Sequence, residues 1–278
     1  MKSIHIANYI QEESIIAQKL VQEVTGLKTG LLDLDMRFRF CPGELTVVAA
    51  RPSMGKTSFA LHVVLNAVLR EQVPTVFFSL DCSKKLLLAR MASILTEVDS
   101  AKIRIGNISA EEEVSINNAL NELSNSKLYI SDETILTVSD MHKECETIKQ
   151  MHGLSLIVID YFQLINHVQS QKSIAQLITD LRHLTSALKI PVLLTSQIGR
   201  ACESRGDKRP FLSDFHAKYR EIVNTADNVI FLYRDSYYSP DTLKLKTCEL
   251  IIAKNKNSIT GTIEVEYSGE YCKFKNLH

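Results

Sequence analysis

At 278 residues, with 45% hydrophobic and 23% charged residues, the chain is long enough to bury a substantial core, in one large α/β domain or two small ones. Lys plus Arg and Asp plus Glu number 32 each, which excludes a globally basic surface and counts mildly against a DNA-coating protein; any contact with nucleic acid must come from a local arrangement of donors. No apolar run reaches the ~18 residues expected of a membrane span, and the six cysteines show neither a C-x-x-C pair nor zinc-like His spacing. They read as reduced structural thiols. The N-terminal MKSIHIANYIQEES lacks the apolar core of a signal peptide, so the expected location is the cytosol.

In chain order, residues 4–23 come first, with apolar positions Ile4, Ile6, Ile10, Ile15, Ile16 and Leu20 spaced as on an amphipathic helix. Such a helix either packs on its own domain or offers its apolar face to a neighbouring subunit. Strand-like runs follow at 45–50, 75–80, 127–131, 154–160, 191–197, 228–233 and 247–254. Most are continuous rather than alternating, as expected of strands covered on both faces. Helix-length amphipathic stretches lie at 57–70, 83–95, 110–124, 137–152 and 172–188. This alternation predicts an α/β fold with a mainly parallel central sheet flanked by helices, and ligands bound beyond the carboxyl ends of the strands. The C-terminal strands, joined by NKNSITG, read as an antiparallel extension.

The run VVAARPSMGKTSFAL, 47–61, joins an apolar strand to a helix through A-R-P-S-M-G-K-T. A strand, a glycine-containing turn ending Gly-Lys-Thr and a helix form a phosphate-binding P-loop, in which backbone N–H groups and the helix N-terminus surround the phosphates. Ala50 stands where the strict pattern has its first glycine. Arg51, Pro52, Ser53, Met54, Gly55, Lys56, Thr57 and Ser58 are the candidate nucleotide-binding residues, with Lys56 on the β- and γ-phosphates and the Thr57 hydroxyl on Mg²⁺. LIVID runs straight into Asp160, a costly place for a carboxylate unless it faces a cation, so Asp160 is the second candidate for Mg²⁺. TVFFSLD ends in Asp81, a candidate base for the attacking water, and PVLLTSQ ends in Gln197, a candidate sensor of the γ-phosphate.

Taken together, TGLKTGLLDLD (25–35), VVAARPSMGKTSFAL (47–61), FFSLDCS (77–83), ASI…VDSAKIRIGNIS (92–109), VIDYFQLI (158–165), SQIGRACESRGDKRPFLSD (196–214), TADNVIFLYRDSYY (225–238) and IIAKNKNSITGTIEV (251–265) resemble the C-terminal ATPase domain of DnaB-type replicative DNA helicases, a branch of the RecA-like motor proteins. The blocks occur in the family's order from Thr25 to the C-terminus. The resemblance implies a RecA-like P-loop ATPase domain over 25–278 and a linker helix over 1–24 that docks on the adjacent subunit. It also implies a hexameric ring, Mg²⁺-ATP at each subunit interface, and single-stranded DNA through the centre. The family's separate N-terminal helical domain has no counterpart in these blocks.

Three stretches depart from the family pattern. Asp81 stands where Glu is usual, which retracts the carboxylate by a methylene. AKNKN offers Lys254 and Lys256 where a Lys-x-Arg pair reaches the neighbour's phosphate, and lysine lacks guanidinium's planar fork. The DNA-contact loop reads FHAKYREIVNTAD. In it Lys218 and Arg220 are candidate phosphate contacts and Tyr219 a stacking residue, although His216–Glu221 reads equally as a solvated helix start. Arg200, Arg205, Lys208 and Arg209 form a basic, glycine-containing loop that also reads as a solvated surface loop; the resemblance implies its place in a DNA channel. The expectation is an ATP-dependent DNA helicase or translocase. The alternative is a weakened ATP-binding relative that regulates or caps a full-length helicase; a loader is a further expected partner.

Overall fold

In a computed structural model of the chain, residues 26–165, 173–239 and 241–277 are described; the expected helix over 4–23 lies outside them. Strands β1 (Leu45–Ala50), β2 (Thr75–Ser79), β3 (Leu128–Ser131), β4 (Leu156–Asp160), β5 (Val192–Gln197), β6 (Asn228–Tyr233), β7 (Thr247–Asn255), β8 (Gly261–Ser268) and β9 (Lys273–Asn276) form one sheet. Its order is β3-β2-β4-β5-β1-β6-β7-β8-β9. The pairs from β3 to β6 are parallel, and those from β6 to β9 are antiparallel.

Helices α1 (Leu32–Asp35), α2 (Lys56–Leu65), α3 (Lys84–Thr96), α4 (Ser100–Ile105), α5 (Ala110–Ser124), α6 (Val138–His152), α7 (Ile174–Leu188) and α8 (Glu221–Thr225) connect the strands. A π-helical segment, Asn66–Arg70, prolongs α2, so the stretch expected over 57–70 runs to its end. Local chemistry sets the starts of the long helices. Ser83 and Ser173 accept N–H groups one turn on, and Ser109 with Glu112 and Thr137 with Asp140 form reciprocal capping boxes. α4 and β9 are short and are not among the helix and strand stretches expected from periodicity.

Successive residues of the strands enter opposite layers. Val48, Phe77, Val158 and Leu193 pack with Phe59 and Val63 of α2 and with the C-terminal strands. Val47, Phe78, Ile159 and Leu194 pack with Met141 and Cys145 of α6 and Leu181 and Leu184 of α7. Burial on both faces explains why the strands read as unbroken apolar runs.

The register then fixes what meets at the carboxyl edge. Ala50 lies opposite Gln197, and Ser79 opposite Asp160. Beyond β2, the Leu80 N–H donates to the Asp160 carbonyl at 2.8 Å, carrying Asp81 to the same edge. The antiparallel strands return over the P-loop helix, where Phe274 packs edge-on against Phe59.

Candidate functional site

A cleft of about 460 Å³ opens at the carboxyl ends of β1, β2, β4 and β5, lined by Pro52, Ser53, Gly55, Lys56, Thr57, Ser58, Asp81, Asp160 and Gln197 among others. The turn that shapes it needs unusual backbone. Gly55 has φ +101°, and a Cβ there would lie 3.2 Å from the Tyr267 ring, so both conformation and space favour glycine. Ser53 also has positive φ, at +63°.

Lys56 begins α2 and is only 8% exposed. Its Nζ donates to the carbonyls of Arg51 at 3.2 Å and Ala50 at 3.4 Å, which folds the side chain back under the loop. Burial lowers its pKa to about 8; Arg51 acts in the same direction, while Asp160 and Asp81 oppose. A buried cation held by the loop's own carbonyls is suited to a polyphosphate, whose charge restores what burial removes.

Asp160 is 1% exposed. Its Oδ2 accepts from Thr57 Oγ1 at 2.7 Å and its Oδ1 from Thr195 Oγ1. Burial pushes its pKa up, against the two hydroxyls and Lys56. Among the described residues there is no group of three or more His, Cys, Asp and Glu able to hold a metal unaided. A hydroxyl and a carboxylate in contact, both hard oxygen donors at the edge of a phosphate site, nevertheless fit Mg²⁺, which completes its shell with water and substrate oxygens.

Gln197 is held through its backbone by Gln163 and through its side chain by a hydrogen bond with Tyr161. Gln163 donates to Ser196 Oγ at 3.0 Å and to the Gln197 carbonyl at 2.9 Å, and accepts from the Gln197 N–H at 3.1 Å. Asp81 is exposed at the cleft mouth. Two loop residues face elsewhere: Met54 is in the core, and the Arg51 side chain turns away from the cleft to Glu203 and the Ile198 carbonyl.

Lys254 and Lys256 lie at the opposite edge of the sheet. Asn255 ends β7 opposite Asn228, the first residue of β6, whereas the P-loop leaves the far end of β1. Lys254 Nζ donates to the carbonyls of Val223, Asn224 and Ala226 at 2.9, 3.0 and 2.6 Å, capping the C-terminus of α8. Lys256 Nζ lies 3.0 Å from Asp227, which also pairs with Arg182. Within one chain neither lysine meets the cleft.

The basic residues divide into two groups. Arg205 makes a two-pronged bond to Asp214 at 2.7 and 2.8 Å, and Arg209 does the same to Glu249 at 2.7 and 2.6 Å. Both carboxylates are buried, so Arg205 staples the loop to the 3-10 turn Leu212–Asp214 and Arg209 holds it to β7. Arg200, Lys218 and Arg220 are exposed, and Lys208 lies over the Tyr238 ring at 4.9 Å. Tyr219 packs edge-on against Phe162 at 5.5 Å, which leaves less of its ring for a base than its loop position implied.

Residues not singled out from the sequence also line the cleft: Arg90, Arg104, Tyr161 and Tyr267. The polar pair Thr195-Ser196 inside PVLLTSQ was a readable signal for the Asp160 contact. Arg90, a lone cation in the apolar run of α3, was another.

The family described as DnaB-like helicase C terminal domain matches residues 26–276. The chain belongs to that family. The replicative DNA helicase DnaB of Geobacillus stearothermophilus is 38% identical over 261 residues, covering 92% of this chain and 57% of the relative. The replicative DNA helicase DnaC of Bacillus subtilis (strain 168) is 35% identical over 283 residues, covering 100% of this chain and 62% of the relative. The chain therefore spans about three fifths of the length of these relatives, matching their C-terminal part. Among solved structures, an isolated ATPase domain superposes with a TM-score of 0.90 at 29% identity, over 97% of this chain and 99% of that one. A DnaB-like replicative helicase, solved in a study of its interactions with primase, superposes equally well over 68% of its length. The RadB recombinase, at 14% identity and a TM-score of 0.54, shares the RecA-like fold.

Proposed function

We propose that this DnaB-like domain is the motor of an ATP-dependent DNA helicase or translocase that works on single-stranded DNA as a hexameric ring in the cytosol. In this reading residues 25–278 are the ATPase domain and 1–24 the linker to the adjacent subunit. The observation that carries it is the division of charge between two edges of one sheet: Lys56, Thr57, Asp160, Asp81 and Gln197 at the carboxyl edge, Lys254 and Lys256 at the other. A cleft lined by one set and lacking the other is completed by a second copy of the chain.

In the proposed reaction, Lys56 and the loop N–H groups bind the β- and γ-phosphates. Mg²⁺, held by Thr57 and Asp160, would neutralise charge on the phosphate oxygens. Asp81 orients a water and takes its proton as the water oxygen bonds to the γ-phosphorus; the bond from phosphorus to the bridging oxygen breaks, and ADP leaves with that electron pair. Lys256 and Lys254 supply charge from the neighbouring subunit. Gln197 shares its strand end with the loop carrying Arg200 and Lys208, the proposed contacts to DNA phosphates together with Lys218 and Arg220.

Steady-state ATP hydrolysis with Mg²⁺, with and without single-stranded DNA and with Lys56→Ala as the blank, tests the reading. Turnover above the blank that rises with DNA supports a motor. Nucleotide binding with turnover no higher than the blank supports the second reading, an ATP-binding partner of a full-length helicase or its loader. That reading draws on Asp81 and on the engagement of Lys256 by Asp227.

A further inference from the structure

The P-loop and the basic loop are joined by a side-chain ion pair. Arg51 Nε donates to Glu203 Oε1 at 2.8 Å, and Arg51 Nη1 donates to the Ile198 carbonyl at 2.9 Å. The Arg51 side chain is 13% exposed and that of Glu203 34%, so the contact is partly shielded from solvent. Arg51 is tied to the phosphate site through its backbone, since its carbonyl accepts from Lys56 Nζ at 3.2 Å. Glu203 belongs to the 3-10 turn Arg200–Ser204, which begins three residues beyond Gln197 and is anchored below by the buried Cys202. Beyond the turn the loop is pinned again, by Arg205 on Asp214 and Arg209 on Glu249. Of the distal pins, Arg205 on Asp214 ties the loop to the following 3-10 turn and Arg209 on Glu249 ties it to β7; the Arg51–Glu203 pair attaches it to the nucleotide site.

We propose that Glu203 is a positioning residue that couples nucleotide occupancy to the loop carrying Arg200 and Lys208, through Arg51. When a polyphosphate draws Lys56 away from the Arg51 carbonyl, the loop peptide at Arg51 is free to shift, and the guanidinium passes that shift to Glu203 and the Ile198 carbonyl. The converse follows by linkage: a ligand that fixes the 200–209 loop biases Arg51 and thus the phosphate cradle. This rests on the nucleotide reading of the cleft given above.

Hydrogen–deuterium exchange on the full chain with and without Mg²⁺ and a non-hydrolysable ATP analogue tests the coupling, in the parent and in Glu203→Ala and Glu203→Gln. The expected result is analogue-induced protection of the 47–61 peptides in all three proteins. The 198–209 peptides respond in the parent, respond partly in Glu203→Gln, which retains an acceptor, and lose at least two thirds of the response in Glu203→Ala. Melting temperatures stay together, which a merely structural role would not require. An equal response of 198–209 in parent and Glu203→Ala, or none in the parent while 47–61 is protected, overturns the coupling alone. Absence of protection at 47–61 in the parent overturns the nucleotide reading and the coupling with it.

Discussion

Thr57 Oγ1 and Asp160 Oδ2 lie 2.7 Å apart across 103 residues of sequence. The contact joins the first turn of the helix after β1 to the end of β4, and it exists because β5 lies between those strands in the sheet and supplies Thr195 to the other carboxylate oxygen. A buried carboxylate held by two hydroxyls keeps its oxygens available as donors to a metal, because neither hydroxyl neutralises its charge.

Substitution at this contact separates binding from folding. Asp160→Asn retains shape and an acceptor, so its melting temperature stays within a few degrees of the parent, while Mg²⁺-dependent ATP turnover falls roughly a hundredfold or more. Thr57→Val gives a similar loss. Calorimetric nucleotide binding with and without EDTA checks it: the parent loses affinity on metal removal, and Asp160→Asn responds far less.

Nucleotide affinity falls with rising pH above about 8. Burial, first among the causes, lowers the Lys56 pKa to about 8, and bound phosphate favours the ammonium form. Free protein must therefore take up a proton at Lys56 to bind once the pH exceeds that value. If only the charged form binds, affinity drops about tenfold between pH 7 and pH 9. A fluorescent nucleotide titrated across this range reads it, and proton uptake in two buffers of different ionisation enthalpy confirms the sign.

His62 makes the fold acid-sensitive. Burial, with Lys273 adding to it, lowers its pKa to about 4, and its Nε2 has no hydrogen-bond partner among the described residues. The folded state thus prefers neutral imidazole. Stability is intact above the unfolded value near 6.5 and is lost as pH falls from there towards 4, to an extent of roughly 3 kcal/mol. Urea unfolding of His62→Leu between pH 7 and pH 4.5 should show a shallower decline than the parent.

Arg209 and Arg200 are expected to behave oppositely although both belong to one basic segment. Arg209→Ala leaves the buried Glu249 carboxylate without its partner and costs roughly 2–3 kcal/mol, less than a fully buried pair because Arg209 reaches solvent. Arg200→Ala leaves the melting temperature unchanged and weakens single-stranded DNA binding severalfold, with a smaller salt dependence. Fluorescence anisotropy on a labelled oligonucleotide, alongside thermal melts, distinguishes them.

The departures at Asp81 and Lys256 yield to restoration. Asp81→Glu with Lys256→Arg lengthens the acid towards the attacking water and restores a planar donor pair, and is expected to raise turnover tenfold or more. Asp227 still faces residue 256, at 3.0 Å in the parent, so Lys256→Arg by itself contributes less than the double change. Single-turnover hydrolysis of Asp81→Glu, Lys256→Arg and the double variant orders these effects.

The strand and helix pattern, the Gly-Lys-Thr turn and the acid at the end of β4 are legible in the amino-acid sequence alone. Those signals are local: apolar run length reports burial on both faces, Gly55 reports a positive φ, and a charge closing LIVID reports a strand end. The sequence also carried the family, through blocks spread over most of the chain. Which basic residues remain exposed depends on the folded arrangement. Arg200, Arg205 and Arg209 look alike in sequence, yet Asp214 and Glu249, from a later loop and from β7, take up two of them. Likewise Lys254 and Lys256 lie apart from the cleft because β7 runs antiparallel to β6 and turns its end to the far edge. Strand order and register bring distant residues together, and neither is written in any one stretch of chain.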